Sequence, residues 1–412
     1  MSFIAALSIT GKMTTPPGFS PDRLARIPRF LQGQVDAGFL PGALTLIWRR
    51  GQIAHSSMVG EMDRERGAPM RADAIFRLYS MTKPVTAVAL LMLMEEGRIA
   101  LDDPVSRFIP GFAHLKTQNG EPVKRAMTVQ DLLRHTAGFT YGFHNRTPID
   151  AAYRAKRVAE FGTEGGLPAM IAQLEKLPLE YSPGEAWIYS VSIDVAGYVI
   201  ERVAGQSYAS FVREKILTPL KMADTDFQVA SSKRDRFAAC YALKDGKLDL
   251  FDDPGKSPWF APPKLESGGG GLLGTAEDYL RFCRMLLGKG ELDGTRLLSP
   301  KTVELMTGNH LPGGAEIADL SPVADAFNES GYRGIGFGLG VAVTLDPARV
   351  GIPGTVGEFT WGGMASTTFF VDPKEEMAVV FMTQVIADTA RRVRLRRDLR
   401  SLVYSAMTQS YA

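Results

Sequence analysis

Ser80-Met81-Thr82-Lys83 is the only Ser-x-x-Lys in this 412-residue sequence. At i and i+3 on a helix the two side chains share a face, so the lysine amine can approach the serine oxygen. A serine hydroxyl is a weak nucleophile until a base takes its proton, and a desolvated lysine can be that base. The start of a helix also supplies unpaired backbone N–H groups beside the reacting atom. A two-letter pattern arises by chance as well, and a helix-start serine followed by a surface lysine leaves the same letters. Tyr189 follows the Pro183-Gly184 turn and precedes a helix-like run, where a phenol can point into a cleft. Beside an ammonium its phenolate is stabilised and can share proton transfer; a core tyrosine is the alternative. Trp361-Gly362-Gly363-Met364 lies between two predicted strands. Paired glycines let backbone approach a ligand, and a following N–H can face a developing oxyanion. A strand-edge bulge is the plainer reading of the same glycines.

Asp194, five residues after Tyr189, is acidic in an otherwise apolar stretch. A buried Trp361 indole N–H needs an acceptor, so we expect Asp194 to pair with Trp361. The alternative is an early-helix charge facing the dipole. Tyr141, Phe143, Trp187, Trp259 and Phe260 are candidates to line a pocket, or plain core. The Gly268–Gly271 run is a second place where backbone can approach substrate.

These groups need a scaffold. ALTLIWRRGQIAHSSMVG (43–60) reads as a β-hairpin turning at Gly51. Met81 to Glu96 reads as a helix stopped by Gly97, with Pro84 in the first turn, where a missing N–H costs little. Further helices are expected at Val129–His135, Ala169–Lys176, Ser192–Ala204, Tyr208–Leu217 and Thr275–Leu287, with little strand signal between residues 100 and about 320. Strands resume at Gly336–Val343, Glu358–Thr360, Ser366–Val371 and Met377–Thr383, and a last helix spans about Ala387 to Met407. The predicted class is α+β: an antiparallel sheet built from both termini and flanked by helices, plus a mostly helical lobe. The expected division is an extension at 1–20, an α/β lobe from 21–98 and 320–412, and a helical lobe at 99–319, with the site at their junction. In RRVRLRRDLR (391–400), helical spacing turns Leu395, Leu399, Leu402 and Val403 inward and is expected to leave the arginines in solvent.

Composition narrows the classes. Apolar residues at 45% and charged residues at 22% are globular proportions, which excludes a disordered or fibrous chain. A net charge of +2 offers no global field for nucleic acid or an anionic membrane. Cys240 and Cys283 cannot make a disulfide framework, and Cys283 is expected as a buried free thiol. The five histidines include no HxxxH or HxH pair, so no metal site is expected, and no cofactor. MSFIAALSITGK carries no basic residue ahead of its apolar stretch, unlike a secretory signal; Met13 is an alternative start. The longest apolar run, Val85 to Met94, is about half a membrane span. The expectation is cytoplasmic, with a periplasmic location as the alternative.

Taken together, the segments resemble the serine β-lactamase and penicillin-binding-protein superfamily. LDDPVSRFIPGF (101–112), TVQDLLRHTAGF (128–139), SPGEAWIYS (182–190), GGGGLLGTAEDYLRF (268–282) and FVDPKEEMAVVFMTQ (370–384) are similar to its class C-type blocks, in order over most of the chain. The resemblance implies a β-lactamase/transpeptidase-like fold. It makes Ser80 the acylated nucleophile, Lys83 its base partner, Tyr189 a proton relay, and the N–H groups of Ser80 and Met364 an oxyanion hole. Two departures matter. Val191 stands where class C enzymes carry the Asn of Tyr-x-Asn, and Trp361-Gly362-Gly363 stands where they carry Lys-Thr-Gly. Losing a cation and an amide disfavours a charged β-lactam and suits an uncharged acyl group. Trp-Gly-Gly and Tyr-Ser-Val resemble the family VIII carboxylesterases and a related fungal acyltransferase. No Gly-x-Ser-x-Gly elbow occurs. The implied activity is hydrolysis of a small-molecule ester of short or medium acyl length. Acyl transfer to an alcohol, β-lactam or D-amino-acid peptide chemistry, and non-catalytic binding on the same fold are the alternatives. No oligomeric state follows from the sequence.

Overall fold

The computed structural model describes residues 18–322 and 333–412. Most of the expected 1–20 extension, Met13 included, lies outside them. Strand β1 (Gly42–Arg49) turns into β2 (Gln52–Asp63) through Arg50 and Gly51, both at positive φ (47° and 87°), as a two-residue hairpin turn requires. After the short β3 (Ala68–Pro69), the sheet resumes near the C-terminus with β4 (Ile335–Phe337), β5 (Ala342–Thr344), β6 (Phe359–Gly362), β7 (Thr368–Asp372) and β8 (Met377–Met382). The eight strands run β4-β5-β6-β7-β8-β1-β2-β3, with every neighbouring pair antiparallel. The first hairpin thus pairs with the last strand, Leu46 opposite Val380.

Both faces of this sheet are covered, so its central strands carry no polar alternation. In β8, Met377, Val379 and Phe381 pack under helices α1 (Arg26–Asp36) and α4 (Thr389–Ser405), against Ile27, Leu31, Leu399 and Val403. Ala378, Val380 and Met382 face the larger core, which holds α2 (Thr82–Glu95) and α3 (Ser192–Ala204). Side chains of period two between two apolar layers yield the continuous run MAVVFM. Helix α2 is buried along nearly its whole length and is accordingly mostly apolar after its first turns, which carry Thr82, Lys83 and Thr86. Among the described residues no helix is long and apolar enough to cross a membrane. Cys240 and Cys283 are both buried and free.

Three expectations need correction. The single strand expected at Gly336–Val343 is two, β4 and β5, folded about a turn at Gly338–Val341. There Gly340 has φ +84°, and a Cβ would stand 2.8 Å from that of Ala87 on α2. The region expected to be almost strandless holds a hairpin, Cys240–Lys244 with Lys247–Asp252. Its second strand is mostly exposed and presents no buried face to read from sequence. The third concerns α4. Leu395, Leu399 and Val403 do point inward, but Arg392, Arg396 and Arg400 are buried too, each 3% exposed. They repeat every four residues beside the leucine stripe, and acceptors await them: the Gly363 and Thr367 carbonyls for Arg396, and the Glu358 carboxylate for Arg400.

Candidate active site

The chain enters α2 from the two-residue strand Phe76–Arg77 through a tight turn, Tyr79–Met81. Tyr79 sits at φ 46°, a left-handed conformation that costs an aromatic residue about 1–3 kcal/mol. Its surroundings enforce it. Leu78 N–H donates to the Leu272 carbonyl at 3.0 Å, Tyr279 OH donates to the Met81 carbonyl at 2.8 Å, and the Tyr79 ring packs against Phe161 and Trp259. The strain falls one residue before Ser80 and delivers its hydroxyl to the floor of a cleft.

Polar residues on α2 then clamp the glycine run. Thr82 Oγ1 accepts from Leu272 N–H (3.0 Å), Thr86 Oγ1 donates to the Gly268 carbonyl (2.7 Å), and Lys83 Nζ donates to the Gly269 carbonyl (2.7 Å). Lys83 Nζ also reaches Ser80 Oγ at 3.3 Å and Tyr141 OH at 3.1 Å. Three oxygens, from Gly269, Tyr141 and Ser80, thus surround the Lys83 amine. From the other side Tyr189 OH donates to Ser80 Oγ at 2.6 Å, while Lys83 Nζ lies 4.6 Å from the Tyr189 ring centroid. Tyr189 is held by its backbone: His144 Nε2 donates to its carbonyl at 2.7 Å. The neighbouring Ser190 N–H donates to His135 Nδ1 at 3.3 Å. Burial, aided by the Lys83 charge, holds the His135 imidazole well below its ordinary pKa, so it is neutral and free to accept there.

The structure therefore brings Ser80, Lys83 and Tyr189 into one hydrogen-bonded chain. It does not bring Asp194 to Trp361. The Asp194 carboxylate accepts from Ser267 Oγ (2.5 Å), Gly269 N–H (3.0 Å) and Tyr141 OH (3.5 Å). The Trp361 ring packs behind Tyr189 and Phe337, and its indole N–H has no hydrogen-bond partner among the described residues. The expected pairing assumed helical spacing from Tyr189 to Asp194, yet α3 starts only at Ser192. Asp194 does lie in its first turn, where the alternative reading puts an early-helix charge, and it is buried there. It is 1% exposed, and burial raises its pKa above the ordinary carboxylate value against the pull of Lys83, Ser267, Gly269 and Tyr141. Tyr141 and Gly269 each touch both Lys83 and Asp194, so two short bridges join the buried cation to the buried acid.

Gly362 and Gly363 also serve a purpose other than the expected one. Neither lines the cleft, whereas Met364 does. A Cβ on Gly362 would lie 2.4 Å from Arg396 Nη2, and one on Gly363 would lie 2.4 Å from the Leu78 carbonyl oxygen. The close approach is by protein, not ligand. Of the Gly268–Gly271 run, Gly269 and Gly270 do face the cleft.

The cleft has a volume of about 370 Å³, with Ser80 and Tyr189 at its base and Phe143, Tyr153, Val158 and Phe161 among its walls. Tyr141 and Phe143 line it as expected. Trp187 is fully buried elsewhere, against His135 and Phe337, while Trp259 and Phe260 support the wall from outside. Phe161, Tyr153 and Tyr79 were not singled out from sequence, because aromatic residues carry no local mark of facing a cavity. One cation, Arg154, reaches the rim and donates to the Gly142 carbonyl.

Known proteins resemble this chain over most of its length. The chain is 36% identical to Protein Rv1367c of Mycobacterium tuberculosis over 86% of this chain and 88% of that one. It is 31% identical to Esterase EstB of Burkholderia gladioli over 91% of this chain and 94% of the esterase. Among solved structures it superposes on EstCE1, described as a hydrolase with promiscuous acyltransferase activity, with a TM-score of 0.78 and 27% identity, covering 93% of this chain and 99% of that one. The Beta-lactamase family matches from residue 27 to residue 403, and this chain belongs to that family.

Proposed function

We propose that the protein is a serine esterase that cleaves uncharged carboxylic esters of short or medium acyl length through an acyl-enzyme on Ser80. The observation that carries this reading is the Ser80 hydroxyl lying 2.6 Å from Tyr189 OH and 3.3 Å from Lys83 Nζ at the base of an apolar cleft. In the reacting form one of the Lys83–Tyr189 pair is deprotonated, Lys83 as the neutral amine or Tyr189 as the phenolate, and that group takes the Ser80 proton as Oγ bonds to the ester carbon. The oxygen of the tetrahedral adduct gains negative charge, and in this reading the N–H groups of Ser80 and Met364, two residues that line the cleft, stabilise it. The adduct collapses as the C–O bond to the leaving alcohol breaks, and Tyr189 or Lys83 returns the proton to that oxygen. Water then gives a proton to the same pair, attacks the acyl carbon and frees the acid, with Ser80 reprotonated. One water is consumed, and no other reactant is needed.

Substrate class follows from the walls. A cleft of about 370 Å³ is near the small end of ligand pockets, roughly 300–1,000 Å³, and its aromatic lining favours a neutral acyl group. The promiscuous acyltransferase activity of EstCE1 also favours a second reading, transfer of the acyl group to an alcohol in place of water, at the same serine. Turnover of a p-nitrophenyl butyrate and of a chromogenic cephalosporin, each beside Ser80→Ala, tests the assignment. Ester turnover that vanishes in Ser80→Ala and exceeds cephalosporin turnover is expected. Faster cephalosporin cleavage overturns the esterase reading, and the absence of any Ser80-dependent turnover overturns the enzyme reading.

A further inference from the structure

Arg396 lies in the last helix, far in sequence from every residue of the Ser80 site, yet its guanidinium ends beside that site. It is 3% exposed, and Nη2 donates to two backbone carbonyls, Gly363 and Thr367, each at 2.8 Å. These carbonyls close a turn whose middle is Met364-Ala365-Ser366. Gly363 N–H donates to the Thr367 carbonyl (2.9 Å), and Ser366 N–H donates back to the Gly363 carbonyl (3.2 Å). Ser366 is held at φ 68°, a strained position for serine, with its hydroxyl on the Val385 carbonyl at 2.7 Å. The Gly363 oxygen thus accepts from a buried cation and from a turn N–H together.

A peptide unit is one resonant system, so a charge-assisted hydrogen bond at its oxygen draws electron density from its N–H. The unit that begins at the Gly363 carbonyl ends at the Met364 N–H. No cis peptide occurs among the described residues, so this C=O and N–H point in opposite directions. With the oxygen turned to Arg396, the N–H turns away from it, and Met364 lines the cleft together with Ser80. The glycine at 362 completes the arrangement. Any Cβ there would meet Arg396 Nη2 at 2.4 Å and Cζ at 2.5 Å.

We propose that Arg396 is a positioning residue for the oxyanion, fixing the Gly363–Met364 peptide from behind and polarising the Met364 N–H toward the charge that develops when Ser80 attacks. The proposal rests on Ser80 being the nucleophile, and it holds for ester, amide or transfer chemistry alike. A mere packing role for Arg396 would alter stability without altering the affinity for a tetrahedral oxyanion, which sets the test.

The full-length protein is compared with Arg396→Gln, Arg396→Lys and Arg400→Gln. Arg400 is an equally buried arginine one turn along the same helix, bound to Glu358. Two readouts are taken per folded molecule: the affinity for an arylboronic acid, which forms a tetrahedral adduct on Ser80, and kcat and KM for p-nitrophenyl butyrate. Removing one oxyanion donor outright costs about 10²–10³ in kcat, so losing its polarisation is expected to cost less. Arg396→Gln is expected to weaken boronate binding about 10- to 100-fold and to lower kcat comparably, with KM within about threefold. Arg396→Lys recovers part of both, while Arg400→Gln lowers the melting temperature and changes neither. Wild-type boronate affinity in Arg396→Gln overturns the proposal, as does an equal loss in Arg400→Gln. Because boronate capture does not require ester turnover, a wild-type protein that binds boronate but cleaves no ester overturns the esterase reading alone, and the Arg396 comparison is still decided.

Discussion

Two buried carboxylates in this protein, Asp131 and Asp194, have pKa values shifted in opposite directions. Asp131 accepts six hydrogen bonds: two from Arg125 (2.6 and 2.8 Å), one from Arg134 (2.9 Å), one from Thr136 (2.8 Å), and two from the N–H and hydroxyl of Thr128 (2.9 and 2.8 Å). Burial raises its pKa, but these donors outweigh burial and hold it at about 2. Asp194 accepts three hydrogen bonds, none from a cation, and burial prevails. Asp131 completes the capping box of the short helix Val129–Leu133 with Thr128 and ties the segments on both sides to it, through Arg125 before and Arg134 and Thr136 after. Asp194 instead faces Lys83 through Tyr141 and Gly269. A fully satisfied charge builds stability. Asp194 has fewer donors and stands beside the Ser80 site, and such perturbed groups gather where chemistry is done.

The strongest way to break this contrast is at the site. Tyr189→Phe keeps the ring packing against Trp361 and His135 but removes the hydroxyl on Ser80. It is expected to lower ester kcat by about 10²–10⁴-fold, with the melting temperature nearly unchanged. A loss of stability in place of activity would make Tyr189 a core residue.

Asp131→Asn should do the reverse. It leaves Arg134 buried without its counter-charge, at a cost of about 3–5 kcal/mol in denaturant unfolding, while kcat per folded molecule stays at the wild-type value. The wild-type pH dependence has a fixed sign. A carboxyl near 2 in the folded state and about 3.9 unfolded binds its proton first in the unfolded chain. Its stabilisation is therefore complete above about pH 4 and is lost as pH falls toward 2. Asp131→Asn should flatten the unfolding midpoint across that window; an unchanged acid slope contradicts the assignment.

Asp194→Asn is the smallest effect. Its raised folded pKa gives the opposite sign: this group's contribution to stability is greatest at low pH and declines as pH rises through the folded value. The amide removes that cost and loses one bridge to Lys83. Stability at neutral pH is expected to stay within about 1 kcal/mol of wild type. The measurable change is about a tenfold lower kcat, and a shift in the pH–rate profile reports the altered Lys83 environment. An unchanged profile would reduce Asp194 to a structural acceptor.

Legibility from sequence follows the same division between local and distant causes. The first hairpin, α2 and α3 were readable because Arg50-Gly51, Gly97 and Gly205 stop or turn the chain where local chemistry demands. The chain order of the short motifs pointed to one superfamily. What was hidden depends on packing between remote segments. No local signal marks Arg396 as buried, because its acceptors are carbonyls 33 and 29 residues away in sequence. Trp361-Gly362-Gly363 is visible as a motif, yet what crowds its glycines is remote: Arg396 of the last helix at Gly362 and the Leu78 carbonyl at Gly363. Tyr79 shows no sign of its left-handed backbone. Asp194 was correctly singled out as unusual and given the wrong partner, since the five residues after Tyr189 do not form one helix.

The central claim is that Ser80 carries the acyl group. Intact-protein mass spectrometry after rapid acid quench of the enzyme with p-nitrophenyl butyrate measures it directly. The account predicts a mass increase of one butyryl group, localised to the peptide containing Ser80 and absent in Ser80→Ala. Ester turnover that persists in Ser80→Ala, or a butyryl adduct on any other residue, would contradict it.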